Sequence, residues 1–135
     1  MSPYPSFINF DATARLACRV NRGRSNTPLQ ALNLLNDPVY VDAAKGLVLR
    51  VLREKPDSSL EQQLEHAFRI VVARLPSQRE RDTLQQLFAS ELVAKLNEVL
   101  FGKQTEKTDS EQAKSAAWFA VASTLLNLDE AITKE

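Results

Sequence analysis

Four helix-start signals fall within the first eighty residues, and their spacing restricts the fold more than any other feature. They are Asn26-Thr27-Pro28, Asn36-Asp37-Pro38, Ser58-Ser59-Leu60-Glu61 and Ser77-Gln78-Arg79-Glu80. Proline suits a first helical position because the amide it lacks has no intrahelical partner there, and a small polar residue before it caps the exposed amides. Serine followed three residues later by glutamate makes a reciprocal capping box. A chain punctuated this way forms helices of a few turns each. With 3 glycines and 6 prolines in 135 residues, it has little material for a turn-rich β fold.

The apolar residues between these signals recur at helical spacing. A short helix is expected over residues 28–35. A second runs from Pro38, with Val41, Ala44, Val48, Val51 and Leu52 on one side, and ends before Pro56. Ser58 and Glu61 open a third, whose stripe Leu60, Leu64, Ala67, Phe68, Val71 and Leu75 is the most regular in the chain; Pro76 closes it. A fourth extends from Ser77 to about Leu100, with Leu84, Leu87, Phe88, Leu92, Leu96, Val99 and Leu100 facing a core. Residues 102–110 read as a polar loop in which Asp109 or Ser110 caps a last long helix to about Leu126. That helix is apolar around most of its circumference, which marks a central element. Asn127-Leu128-Asp129-Glu130 begins a short closing turn.

The first 26 residues are less regular. Pro3 and Pro5 oppose helix, yet Tyr4, Phe7, Ile8 and Phe10 are apolar, so residues 1–10 read as an extended arm that needs a surface to lie on. A short helix from Asp11 to about Val20 and a basic loop at Arg22-Gly23-Arg24-Ser25 follow. The expected fold is all-α: one domain over residues 1–135, a helical bundle of about five helices with an extended N-terminal arm and a short C-terminal helical turn.

Charge and motif content narrow the function. The 17 basic and 17 acidic residues balance, whereas nucleic-acid binders draw affinity from a basic excess. A helix-turn-helix over residues 28–53 would carry few basic residues on its recognition helix. The longest apolar run, around Ala116 to Leu126, is shorter than a bilayer requires, and Met1-Ser2-Pro3-Tyr4-Pro5 does not resemble a signal peptide. One cysteine and one histidine do not suggest a zinc site, and no nucleophile elbow, phosphate loop or haem-attachment motif is present. No cofactor is expected. Cys18 reads as a small core residue, although Arg15, Arg19 and Arg22 would lower its pKa if they pointed at it. His66 reads as a solvent-facing helix residue, Trp118-Phe119 as core, and Asp129-Glu130 as a terminal cap. The segment from Arg15 to Asp37 stands apart: Arg15, Arg22, Arg24, Asn26, Thr27, Gln30, Asn36 and Asp37 form a candidate polar cluster. Such a group either satisfies two consecutive helix ends or binds an anion or carboxylate.

Phe10-Asp11-Ala12, Arg24-Ser25-Asn26-Thr27-Pro28-Leu29-Gln30-Ala31-Leu32 and Leu34-Leu35-Asn36-Asp37-Pro38 resemble the C-terminal part of the planctomycete-specific domain one family. Ala67-Phe68-Arg69 with Ala73-Arg74-Leu75-Pro76 is similar to a second block of that family, and Leu125 to Glu130 to its closing one. Thr13 stands where the family has proline, and Ser25 where it has threonine. These are domains of unknown function in large planctomycete proteins, often beside a cytochrome-c-like domain. The haem motif belongs to that other domain, so the resemblance carries over no electron transfer. It implies an exported or envelope-associated protein, and that this chain is the C-terminal portion of a larger domain whose upstream remainder, or another protein, is its partner. The expected function is non-catalytic packing or partner binding. The alternatives are a hydrolase-like enzyme fragment contributing an Arg/Asn-rich part of a site, and an anion or nucleic-acid binder.

Overall fold

The computed structural model describes residue 10 and residues 27–101 and 106–132. Among these residues the only regular structure is helix: α1 (Pro28–Asn36), α2 (Pro38–Glu54), α3 (Leu60–Val72), α4 (Gln78–Phe101), α5 (Glu106–Leu126) and a final turn, α6 (Asp129–Ile132). The expected helix from Asp11 and the basic loop at Arg22–Ser25 lie outside the described residues, as does the arm before Phe10.

The start signals act where the sequence places them, with one displacement. Thr27 caps α1, Asp37 caps α2, and the Ser77 hydroxyl accepts from the Glu80 amide at 3.4 Å. For α3 the cap is Ser59, not Ser58. The Ser59 hydroxyl accepts from the Gln62 amide at 3.4 Å, and the Gln62 side chain accepts from the Ser59 amide at 3.3 Å. The sequence offers this box one residue after Ser58 and Glu61. The buried Gln63 side chain then donates to the Lys55 carbonyl at 2.8 Å, tying the start of α3 to the end of α2. That carbonyl, orphaned at a helix end, thereby gains a partner.

Helix α5 is central, as its composition predicts: it touches every other helix. Ala113, Ala117, Trp118, Val121, Ala122 and Leu125 are buried along it. Small residues let α4 approach closely, and the Phe88 and Trp118 rings meet edge to face at 5.4 Å and 67°, a favoured aromatic geometry. Leu84 from α4, Leu64, Ala67 and Phe68 from α3, and Ala44, Leu47 and Val51 from α2 complete the core.

Three expectations are corrected. On α2 the buried row is Ala44, Leu47 and Val51, so Leu47 joins the expected row, and Leu52 faces outward. On α3 the stripe is shorter at both ends, since Leu60 and Leu75 are exposed. The helix stops at Val72 because Ala73 adopts a left-handed conformation (φ 63°) and sends its amide to the Arg69 carbonyl at 3.0 Å. Finally, α5 begins at Glu106, so Asp109 and Ser110 lie inside the helix rather than capping it.

Candidate functional site

The junction of α1 and α2 holds the described half of the candidate polar cluster. Thr27 and Gln30 form a reciprocal box: the Thr27 amide donates to Gln30 Oε1 at 2.8 Å, and the Gln30 amide to Thr27 Oγ1 at 3.3 Å. Gln30 is 1% exposed, so one side of α1 is sealed by a polar side chain. At the other end, Asn36 Nδ2 donates to the Leu32 carbonyl at 2.8 Å, the Asp37 amide donates to the Asn33 carbonyl at 2.9 Å, and Asp37 Oδ1 accepts from Val39 at 3.0 Å. All four residues therefore serve the ends of two successive helices. Arg15, Arg22, Arg24 and Asn26 lie outside the described residues, as do Arg19 and Cys18.

The opposite side of this junction is unusual. Leu29, Leu32, Leu35 and Val39 are exposed at 58, 58, 47 and 61%. Leu29, Leu32 and Leu35 recur every three residues, which keeps them on one side of α1. No charged residue occurs in α1. Beside Val39, the Tyr40 ring packs on Phe10, with centroids 6.1 Å apart and the planes tilted by 52°. Large side chains exposed singly are ordinary, whereas a contiguous apolar row marks an interaction surface.

Two polar arrangements lie elsewhere. The first is a groove of about 370 Å³ lined by Lys55, Gln62, Glu65, His66 and Arg69. His66 is not simply solvent-facing: its side chain is 24% exposed, and Nε2 lies 2.7 Å from Glu54 Oε2 at the end of α2. Arg50, and after it His66, hold the Glu54 carboxyl below the usual carboxylate range. An imidazole oriented by a carboxylate becomes catalytic when a nucleophile or substrate proton converges on it. The groove lining has no serine, threonine or cysteine. Among the described residues, no group of three or more His, Cys, Asp or Glu side chains is placed to hold a metal.

The second is a knot around Arg74. Its guanidinium bonds Glu80 at 2.7 and 3.0 Å and Glu130 at 2.7 and 2.8 Å, and its carbon lies 4.9 Å from the Phe68 ring centroid. Glu80 also accepts from the Ser77 amide at 2.6 Å. Arg74, followed by the Ser77 amide, lowers the Glu80 pKa to about 2; Arg74 likewise lowers Glu130, and the two carboxylates hold Arg74 firmly charged. Glu130 is thus half of an ion pair rather than only a terminal cap. The capping box revealed Glu80, but no local pattern connects residue 74 with residue 130. The knot joins the start of α4 to α6 beside the core and presents no open coordination site.

Among the described residues the chain is an all-α bundle, with apolar side chains both in its core and exposed along α1 and the start of α2. The chain belongs to the family described as PSD1, protein of unknown function (DUF1553), whose model matches residues 1–88. No curated protein and no solved structure matches it. The family match covers α1 to α3 and the first part of α4, including the leucine face, Arg74 and Glu80. No helix among the described residues is long and apolar enough to cross a membrane.

Proposed function

We propose that this chain is a non-catalytic helical packing and partner-binding module of a larger planctomycete envelope-type protein. In this reading it forms the C-terminal portion of a bigger family domain, and its partner is the upstream remainder of that domain. The observation that carries the proposal is the exposed row Leu29, Leu32, Leu35 and Val39. Burying such side chains stabilises an interface by about 1.5–3 kcal/mol each when fully covered. The resemblance of the Arg24–Asp37 and Ala67–Pro76 blocks supports the planctomycete and envelope setting.

The test is co-expression of this chain with the tagged preceding portion of its domain. Wild-type chain co-purifies with that portion. Leu32→Asp weakens the association at least about thirtyfold, the scale of a central interface anchor, while far-ultraviolet circular dichroism still shows a folded helical chain. Undiminished co-purification of Leu32→Asp sinks the reading.

A further inference from the structure

The groove at the end of α2 holds two cations that no carboxylate claims. Gln62, Glu65, His66 and Arg69 line it at helical spacing, so one side of α3 forms its wall. Lys55 completes the lining, and the Gln63 side chain fixes its backbone there by donating to its carbonyl at 2.8 Å. The nearby acids are already paired. Glu54 takes Arg50 at 2.9 Å and His66 at 2.7 Å, and Glu65 lies 3.7 Å from Arg81 on α4. Asp57 and Glu61, close in sequence, do not line the groove. Neither Lys55 nor Arg69 forms an ion pair among the described residues. Gln62 adds a neutral donor: its Oε1 accepts from the Ser59 amide at 3.3 Å, which leaves its Nε2 for the groove.

A guanidinium, an ammonium and an amide nitrogen converging on one groove form a donor set for an oxyanion. The guanidinium offers paired hydrogen bonds and the ammonium a point charge. Two positive charges complement a doubly charged group better than a single carboxylate. The volume of about 370 Å³ falls in the range of small-molecule sites. We propose that this groove binds a phosphate group, free or as the monoester of a small molecule, through Arg69, Lys55 and Gln62. The proposal does not rest on the packing reading, since no residue of the leucine row lines the groove.

The experiment is titration of the full chain with inorganic phosphate and with glycerol phosphate, followed by two-dimensional amide NMR. Sodium chloride holds the ionic strength constant. The expected result is saturable shifts concentrated around Lys55, Gln62 and Arg69. Arg69→Gln and Lys55→Gln each weaken binding about tenfold or more, the scale of a lost charge-assisted hydrogen bond. Arg79→Gln, on α4 and outside the groove, binds as wild type. Thermal unfolding verifies that every variant is folded. Tighter binding of glycerol phosphate identifies a monoester and tighter binding of inorganic phosphate a free anion; both uphold the site. Shifts that never saturate, shifts spread over the basic side chains of the whole surface, or equal losses from Arg69→Gln and Arg79→Gln overturn the proposal.

Discussion

Two stretches of the chain lack a charged side chain over at least twelve residues, 115–128 and 25–36, and the helices within them have different fates. The first forms the second half of α5, where Ala117, Val121 and Leu125 are fully enclosed. The second contains α1, where Leu29, Leu32 and Leu35 stand outward. The contrast arises from neighbours rather than hydrophobicity: among the described residues α5 is touched by all five other helices, whereas α1 touches only α2 and α5. A low-charge helix at the centre of a bundle is core, and one at its edge keeps an uncovered apolar side.

The largest effect is expected at the centre. Phe68 is 2% exposed and lies beneath Arg74, so Phe68→Ala should cost about 3–5 kcal/mol in urea unfolding. A loss below about 1 kcal/mol would mean that the seam is not the core. Helix caps come next. Thr27→Ala and Ser59→Ala should each destabilise by about 1 kcal/mol, whereas Ser58→Ala should change stability by less than about 0.5 kcal/mol. Reversal of the two serines would place the α3 cap where the sequence first suggests it. Ala73→Gly should raise stability by about 0.5–1 kcal/mol, because glycine accepts the left-handed conformation without steric cost; lower stability would count against the turn.

Acid should produce the smallest effect. Glu80 titrates at about 2 when folded, against an ordinary 4.5. Its stabilisation is therefore complete above that ordinary value and is lost as the pH falls through 4.5 towards 2. The side chains of Arg74 and Glu80 are 42 and 35% exposed, so solvent screens the pair and the loss is modest. Glu80→Gln should flatten stability across this window relative to wild type. An unchanged acid slope would separate the knot from acid sensitivity.

Much of the fold is legible in the sequence because its determinants are local. Proline and capping residues mark the starts of α1, α2 and α4, and spacing identifies Leu64, Ala67, Phe68, Leu84 and Phe88 as core. The misplacements come from choices that local chemistry leaves open. Ser58 with Glu61 and Ser59 with Gln62 are both acceptable boxes, and the contact between Gln63 and Lys55 accompanies the second. Leu75 continues the α3 period, yet it precedes Pro76, a position that disfavours helix. The Arg74 to Glu130 pair spans 56 residues, so no periodic pattern announces it. Among the candidate site residues, Thr27, Gln30, Asn36 and Asp37 are legible as helix-end chemistry. The outward leucines are harder to read, because an apolar residue at helical spacing reads as core until the neighbouring helices are known.

The core seam at α5 and the outward leucine row of α1 differ in what surrounds them, and a matched pair of substitutions tests that contrast most directly. Val121→Asp and Leu32→Asp put the same charge into each region, and urea unfolding is measured beside co-purification with the proposed upstream portion of the domain. The predicted result is that Val121→Asp abolishes folding, because an unpaired charge is buried. Leu32→Asp should instead remain within about 1 kcal/mol of wild type, as an exposed substitution does, and lose its partner. A Leu32→Asp chain that unfolds as Val121→Asp does, or that folds and still binds as wild type does, would contradict the account.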